Sequence, residues 1–303
     1  MANSNAIKRS RKLARRETAS AYGFLLPSLI FFVGFVIIPM LICIYYSFTD
    51  YQMGRDTVTH FVGLSNYVKM FTTDPVFLRA LKNTLVIVIV SVPTVCAFSI
   101  WVSSVIYKLS DAGKSLFRVI FYLPVVTGSV AVTVVWKWMY NNYYGIFNYL
   151  GKTMGLIEKN INWLGDEKWA LWCIILILFT TSVGQPIVLY VSALSNVDAS
   201  IVEAAKVDGA NDMQVFWKIK WPSIKPTTLY ILIITTINSF QCFALIQLLT
   251  SGGPNHSTDT VMYYIYYTAF KLYDYGYGNA MGVVLAIFIA ILSGIQYKMG
   301  QEK

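Results

Sequence analysis

Residues 203–226 read EAAKVDGANDMQVFWKIKWPSIKP, and their surroundings decide what they are. The chain is almost continuously apolar before them, from about Trp169 to Leu194, and again after them, from about Thr227 to Leu249. The stretch between is polar and helix-prone. It opens on Glu203-Ala204-Ala205, passes through Asp208-Gly209-Ala210, Gln214, Phe216 and Ile219, and closes on Pro222 and Pro226. A charged segment between two runs each long enough to cross a bilayer is a loop at a membrane face.

Four further apolar runs extend outward from this loop: Tyr22 to Phe48, about Leu81 to Tyr107, about Leu116 to Tyr140, and about Ala280 to Tyr297. A helix of about 20 residues rising 1.5 Å each covers a hydrocarbon core of roughly 30 Å. Composition agrees, since 56% of the 303 residues are hydrophobic and 13% are charged, where soluble domains carry about 25% charged residues. The expected fold class is an all-α polytopic membrane protein with six transmembrane helices. Pro93 and Pro124 fall inside the second and third runs, which bundled membrane helices tolerate.

The net charge of +9 raises the question of nucleic acid, but its distribution answers otherwise. Lys8, Arg9, Arg11, Lys12, Arg15 and Arg16 cluster before the first run. The positive-inside rule puts such a tail in the cytoplasm, and six crossings return the C-terminus there. With that orientation, 15 of the 24 lysines and arginines lie on the cytoplasmic side. The expected organisation is a basic tail, residues 1–20, and one transmembrane domain, residues 21–303, whose cytoplasmic loop spans 196–226. The first run is too long for a signal-peptide core and no small-residue cleavage site follows it, so it reads as a retained span. Cys43, Cys96, Cys173 and Cys242 each fall in a different run. They match no zinc spacing and read as small packing residues. In the outer loop from Asn141 to Lys168, Trp163 and the neighbouring Trp169 suit a membrane interface, and Asp74-Pro75 suits a helix start.

Several chemistries are excluded. Gly151-Lys152-Thr153 and Gly113-Lys114-Ser115 end like a phosphate-binding loop, but the preceding glycine is displaced in one and replaced by Lys108 in the other. The phosphate nest depends on that spacing. The two histidines, His60 and His256, belong to no hydrolase or metalloprotease pattern, and no metal-ligand set occurs. The spans contain no internal Asp or Glu, which argues against proton-coupled transport. No catalytic residue is expected, and any ATP and Mg must be handled by another polypeptide.

Neutral polar groups do occur at membrane depth. Gln185 lies beside Gly184 in the fourth run, and Thr235, Asn238, Ser239, Gln241 and Cys242 lie in the fifth. Such amides and hydroxyls pair between helices or face water. Asn238 and Gln241, three apart, share a helical face. Uncharged groups of this kind suit a sugar better than an ion. In the loop, Ser200-Ile-Val-Glu203 fits a capping box. Gly209 permits the left-handed turn that ends a helix, a second short helix carries Phe216 and Trp217, and Pro222 and Pro226 redirect the chain into the fifth span.

These residues resemble the EAA loop of permease subunits of binding-protein-dependent ABC importers: Glu-Ala-Ala, two residues, Asp-Gly-Ala, then a spaced Phe, Ile, Pro and Pro. The likeness covers nearly all the chain beyond the tail. FLLPSLIFF with IIPMLICIYYSF, FVGLSNYVKMF with DPVFLRALKNTL, and LLTSGGPNHSTDT (Leu248–Thr260) resemble the carbohydrate branch, on the side of the maltose F-type subunit and the shorter multiple-sugar and lactose permeases. The extra N-terminal spans and large periplasmic domain of the enterobacterial maltose subunit have no counterpart here.

The resemblance implies a type I importer permease with a cytoplasmic coupling helix. Glu203, Ala204, Ala205, Asp208, Gly209 and Ala210 would meet a cytoplasmic ATPase dimer. A second permease would complete a heterodimeric pathway, and an extracellular or periplasmic binding protein would deliver the sugar. Gly184, Gln185, Thr235, Asn238, Ser239, Gln241 and Cys242 would line the path. A glycerol-3-phosphate permease is the nearest alternative, and a self-contained carrier or channel a more distant one.

Overall fold

The computed structural model describes residues 18, 20–54 and 58–301, so most of the basic tail lies outside the described residues. Among them there are no strands beyond isolated bridges at Thr49–Phe61 and Gln52–Asp274. Five stretches are long and apolar enough to cross a membrane: α1 (Ser20–Tyr46), α3 (Pro75–Ile106), the Ala170–Ser195 stretch, the Asp212–Leu249 stretch, and the Tyr275–Gly300 part of the last helix. The short α2 (Ser65–Thr72) precedes α3. The third apolar run is not one helix. It divides into α4 (Asp111–Val126) and α5 (Ser129–Met139), which meet at 94°.

That bend has a local cause. Pro124 cannot donate a backbone hydrogen bond, and one turn later Thr127 is extended (φ −71°, ψ 124°), with its hydroxyl folded back on the Leu123 carbonyl at 2.8 Å. Gly128 then starts α5. A proline alone does not do this, since α3 passes through Pro93 unbroken.

The second departure concerns the fifth span. Pro222 and Pro226 do not redirect the chain; both lie within α11 (Trp221–Phe240). A widened π turn, Phe216–Lys220, precedes it, in which the Trp221 N–H reaches back five residues to the Phe216 carbonyl. This loosens the bonding pattern just where Pro222 lacks its donor. The helix therefore begins well before the apolar run, and α10 (Asp212–Val215), the π turn and α11 form one rod.

α3 is the central element. Its small side chains allow close approach to α7 (Ala170–Ser182) and α8 (Gly184–Ser195). Ser99 and Ser103 are fully buried and donate to the Val183 and Ile187 carbonyls at 3.4 and 3.1 Å. Such hydroxyl-to-carbonyl contacts hold membrane helices where no hydrophobic effect drives them together. Val95, Val102 and Ile106 of α3 pack on Ile187 and Val191, while Cys96 packs on Tyr190, Leu194, Ile224 and Ile231. Cys96, Cys173 and Cys242 are buried and unbridged, as packing residues should be; Cys43 is exposed on α1. α1 itself packs on α14 (Tyr275–Gln301) and leaves most of its apolar side chains, Phe24 and Phe35 among them, uncovered.

One end of the bundle is rich in loops that lock to each other. The turn after α12 (Ala244–Leu249) leads into α13 (Val261–Tyr266). Asn83 of α3 donates to the Ser257 and Asp259 carbonyls at 3.1 and 3.0 Å, and Thr84 accepts from the Val261 N–H at 3.0 Å. The Asn141–Lys168 loop, with α6 (Ile146–Thr153), has its own aromatic core. Trp163 is half-buried there, tilted or edge-on to Tyr140, Phe147 and Trp169, and its indole donates to Asn148 at 3.0 Å.

Asp74 caps α3, with Pro75 at the first helical position as expected. One carboxylate oxygen takes the Val76 and Phe77 N–H groups at 2.9 and 3.0 Å, and the other takes the Tyr264 and Tyr277 hydroxyls at 2.9 and 2.6 Å. Burial pushes its pKa up, but the hydrogen bonds from Tyr277, Phe77, Tyr264 and Val76 outweigh this and hold the carboxyl below its usual range. Asp74→Ala removes the cap and strands one buried and one half-buried hydroxyl, an expected loss of about 2–4 kcal/mol. Because the folded pKa is depressed, this stabilisation is present above the unfolded value of 3.8 and fades as pH falls through the lower folded value. Thermal unfolding in detergent should show a large gap between wild type and variant at pH 7 that narrows below pH ~3.5.

Candidate functional site

Three spans lose their regular helix and meet. α4 breaks from α5 at Thr127–Gly128, α7 from α8 at Val183, and α11 from α12 at 241–243. Irregular backbone at membrane depth is tolerated where it is buried in protein or lines a cavity. A pocket of about 150 Å³ lies here, walled by Val125, Thr181, Gln185, Tyr230, Thr235 and Asn238 among others. A second, of about 310 Å³, is walled by Val125, Thr127, Ser129, Thr181, Gln241 and Cys242 among others. Val125 and Thr181 belong to both walls, so the two form one cleft, in which amides and hydroxyls are set among apolar side chains.

The hydroxyls in this cleft are largely spent on their own helices: Thr181 donates to the Ile177 and Leu178 carbonyls and Thr127 to Leu123. The amides are not. Gln185, Asn238 and Gln241 are exposed, and their side chains form no hydrogen bond among the described residues. Each offers one acceptor and two donors. Neither wall includes a lysine, arginine or carboxylate.

The sequence-predicted residues separate here. Gln185, Thr235 and Asn238 wall one pocket and Gln241 and Cys242 the other; Gln241 is the C-cap of α11, its N–H still bonded to the Ile237 carbonyl at 3.1 Å. The freed Cys242 carbonyl accepts from the Thr260 hydroxyl at 2.8 Å. Ser239 is buried behind the wall. Gly184 is also buried, and a Cβ there would fall 2.3 Å from the Phe121 carbonyl oxygen and 2.8 Å from the Val125 side chain. It sets the approach of α8 to α4. Sequence reasoning missed Val125, Thr127, Ser129 and Tyr230. The signal available for the α4 side was Pro124 followed four residues on by Gly128.

At the opposite end of the bundle, residues 196–220 form a helical elbow. α9 (Ala199–Val207) is capped by Asp198, which accepts from the Ser200 N–H at 2.9 Å, so the expected Ser200–Glu203 box does not form. Glu203 and Ala204 are thereby left exposed in mid-helix, and Asp208 is exposed at the C-cap. The helix ends as Gly209 predicts. Its φ is +83°, and the Gly209 and Ala210 N–H groups reach back to Lys206 and Ala205 at 3.1 and 2.9 Å. This paired bonding is the Schellman arrangement.

The capping box of the loop belongs to α10, where Asn211 and Gln214 cap each other at 2.8 and 2.9 Å. Asp212 lies 3.5 Å from Lys206 of α9 and 3.6 Å from Lys108 after α3, tying both arms of the elbow to the bundle. Between the arms is a notch of about 370 Å³ walled by Ala205, Asp208, Gly209, Ala210, Gln214 and Lys218 among others. Small side chains at Ala205, Gly209 and Ala210 keep it open.

Residues 23–299 match the family described as binding-protein-dependent transport system inner membrane component. The probable ABC transporter permease protein YesP of Bacillus subtilis is 33% identical over 297 residues, covering 97% of this chain and 94% of that protein. The multiple sugar-binding transport system permease protein MsmF of Streptococcus mutans is 33% identical over 279 residues, 92% of this chain and 94% of that one. The lactose transport system permease protein LacF of Rhizobium radiobacter is 30% identical over 294 residues, 96% and 97%. In structure, a chain of a bacterial ABC transporter involved in the import of the acidic polysaccharide alginate superposes with a TM-score of 0.81 at 24% identity, covering 97% of this chain and 98% of that one.

Proposed function

The chain belongs to the binding-protein-dependent inner membrane transport family, and from that premise we propose that it is a permease subunit of an ATP-driven sugar importer, contributing half of the translocation pathway. It is a multi-pass transport component, not an enzyme. The observation that carries the sugar reading is the cleft, where three broken spans present the unpaired amides of Gln185, Asn238 and Gln241 in a wall without charge. Neutral amides match hydroxyls of a sugar and give a phosphate no counter-charge. The names of the multiple-sugar and lactose permeases point the same way.

In this reading the elbow faces the cytoplasm, as do both termini, including the basic tail of residues 1–20. The transmembrane domain comprises 21–303, and the loop 196–226 is its coupling element. Glu203, Ala204, Ala205, Asp208, Gly209 and Ala210 receive the motion of an ATPase dimer that binds ATP and Mg. A second permease completes the pathway, and a sugar-binding protein docks on the loop-rich end. The elbow supports this: it is exposed, rigidly capped at each turn, and tied by Asp212 to the bundle.

The test is uptake of labelled sugar by the transporter purified from its native operon and reconstituted with its binding protein. Uptake should require ATP inside the vesicle. Asn238→Leu and Gln185→Leu should each raise the KM for uptake by about tenfold, the cost of one or two lost hydrogen bonds to the ligand. Uptake without ATP, or unchanged KM in both variants, would overturn the reading.

A further inference from the structure

A cavity of about 590 Å³ lies between the last turns of α3 and the α10–α11 rod, separate from the cleft. It is on the other side of α10 from the elbow notch: Met213, Phe216, Trp217 and Lys220 face it, while Gln214, Val215, Lys218 and Ile219 face the notch. Its walls combine two chemistries. Trp101, Tyr107, Trp217 and Trp221 supply aromatic surface, and Trp101 and Trp217 are 64% and 54% exposed, large apolar rings with little of this chain over them. Indoles at the ends of spans mark the boundary between hydrocarbon and headgroups.

Lys108 and Lys220 supply positive charge and Asp212 a carboxylate, and the two lysines are not equivalent. Lys108 pairs with Asp212 at 3.6 Å. Lys220 is half-buried; its ammonium donates to the Tyr107 hydroxyl and lies 4.5 Å from the centre of that ring. Among the described residues no carboxylate comes within ion-pair distance of it. A partly desolvated cation held only by a neutral phenol is incompletely compensated. From Tyr107 the wall runs along α3 past Ser104, whose hydroxyl is spent on the Trp101 carbonyl at 2.7 Å, to Ile100 and Ala97.

We propose that this cavity binds an anionic phospholipid, with its phosphate on Lys220 and an acyl chain along Ala97, Ile100 and Trp101. A free phosphate would leave the apolar wall uncovered. A neutral lipid, or an apolar helix of another subunit, would leave Lys220 uncompensated. The lipid bridges α3 to the rod that continues from the elbow, so it braces the segment through which the elbow meets the bundle. Its placement in the inner leaflet rests on the orientation proposed above; the binding itself does not.

The complete transporter, purified in detergent, is incubated with an equimolar mixture of phosphatidylglycerol and phosphatidylcholine, and retained lipid is read by native mass spectrometry. Phosphatidylglycerol should be enriched on the wild type. Lys220→Gln should cut that enrichment by about fivefold, Lys220→Arg should keep it, and Lys159→Gln at the loop-rich end should not alter it. Equal retention of both lipids by wild type, or undiminished enrichment in Lys220→Gln, overturns the proposal. So does displacement of the lipid by millimolar inorganic phosphate, which would make this a phosphate-ion site. Should Lys220→Gln not assemble, phosphatidylglycerol with a photoreactive acyl chain should label segments 97–101 and 213–221 of the wild type. Labelling confined to other segments, or a Trp217→Cys crosslink to the second permease in place of lipid, is the contrary result.

Discussion

Gly209→Val is expected to abolish transport while the chain still folds and inserts. The effect is conformational, because a Cβ at this position would meet nothing within 4 Å. What valine cannot do is hold φ near +83°. The left-handed region costs an ordinary L residue roughly 1–2 kcal/mol, and a β-branched one is a genuine outlier there. Yet two hydrogen bonds, from Gly209 to Lys206 and from Ala210 to Ala205, exist only in that conformation. Valine would unwind the turn, swing α9 away from α10 and open the notch between them. The hydrophobic core is untouched, so folding survives while the shape offered to the ATPase does not. Uptake and binding-protein-stimulated ATP hydrolysis, measured on the reconstituted complex, should both fall at least tenfold. Asn tolerates positive φ, so Gly209→Asn should recover most of the loss, and Gly209→Ala should lie between. Wild-type uptake by the valine variant would refute coupling through this turn.

The turn was legible in the sequence because one residue type carried it: an Asp-Gly after a short amphipathic stretch has few other uses. The helix start was not, because two caps competed. Ser200 with Glu203 fits the box, but Asp198, two residues earlier, holds the Ser200 N–H with a charged oxygen and begins the helix sooner. The outcome matters for function. Glu203 is released from capping and left exposed, which suits a residue proposed to meet a partner.

The spans divide in the same way. Long apolar runs revealed the bundle and Asp74-Pro75 the start of α3, but uniform hydrophobicity has no period that marks a break. Pro93 in a continuous helix and Pro124 before a 94° bend look alike in one dimension. The difference lies in Thr127 and Gly128, which let the chain leave the helix. Individual polar residues of the cleft could therefore be named, while their assembly around three breaks could not.

Gly184→Leu should damage the fold itself. α8 starts at Gly184 with its backbone against α4, and even one added methyl would fall 2.3 Å from the Phe121 carbonyl oxygen. That obstacle is backbone inside a helix, so it cannot rotate away as a side chain would; α4 and α8 must separate. Overpacking of a tight contact typically costs about 1–3 kcal/mol, and leucine, which cannot enter at all, should reach or exceed the upper value. The shift also propagates to the cleft, because Val125, 2.8 Å from the same Cβ position, walls both of its pockets. Two readouts should therefore move together: the apparent melting temperature in detergent should drop by several degrees, and sugar uptake should be lost. Gly184→Ala should show the same pair of effects in milder form. This separates Gly184 from Asn238, whose side chain packs against no core and whose loss should raise the KM with little change in melting. A Gly184→Leu protein that melts like wild type would show that α4 and α8 can part without cost, and the close contact would no longer account for glycine at this position.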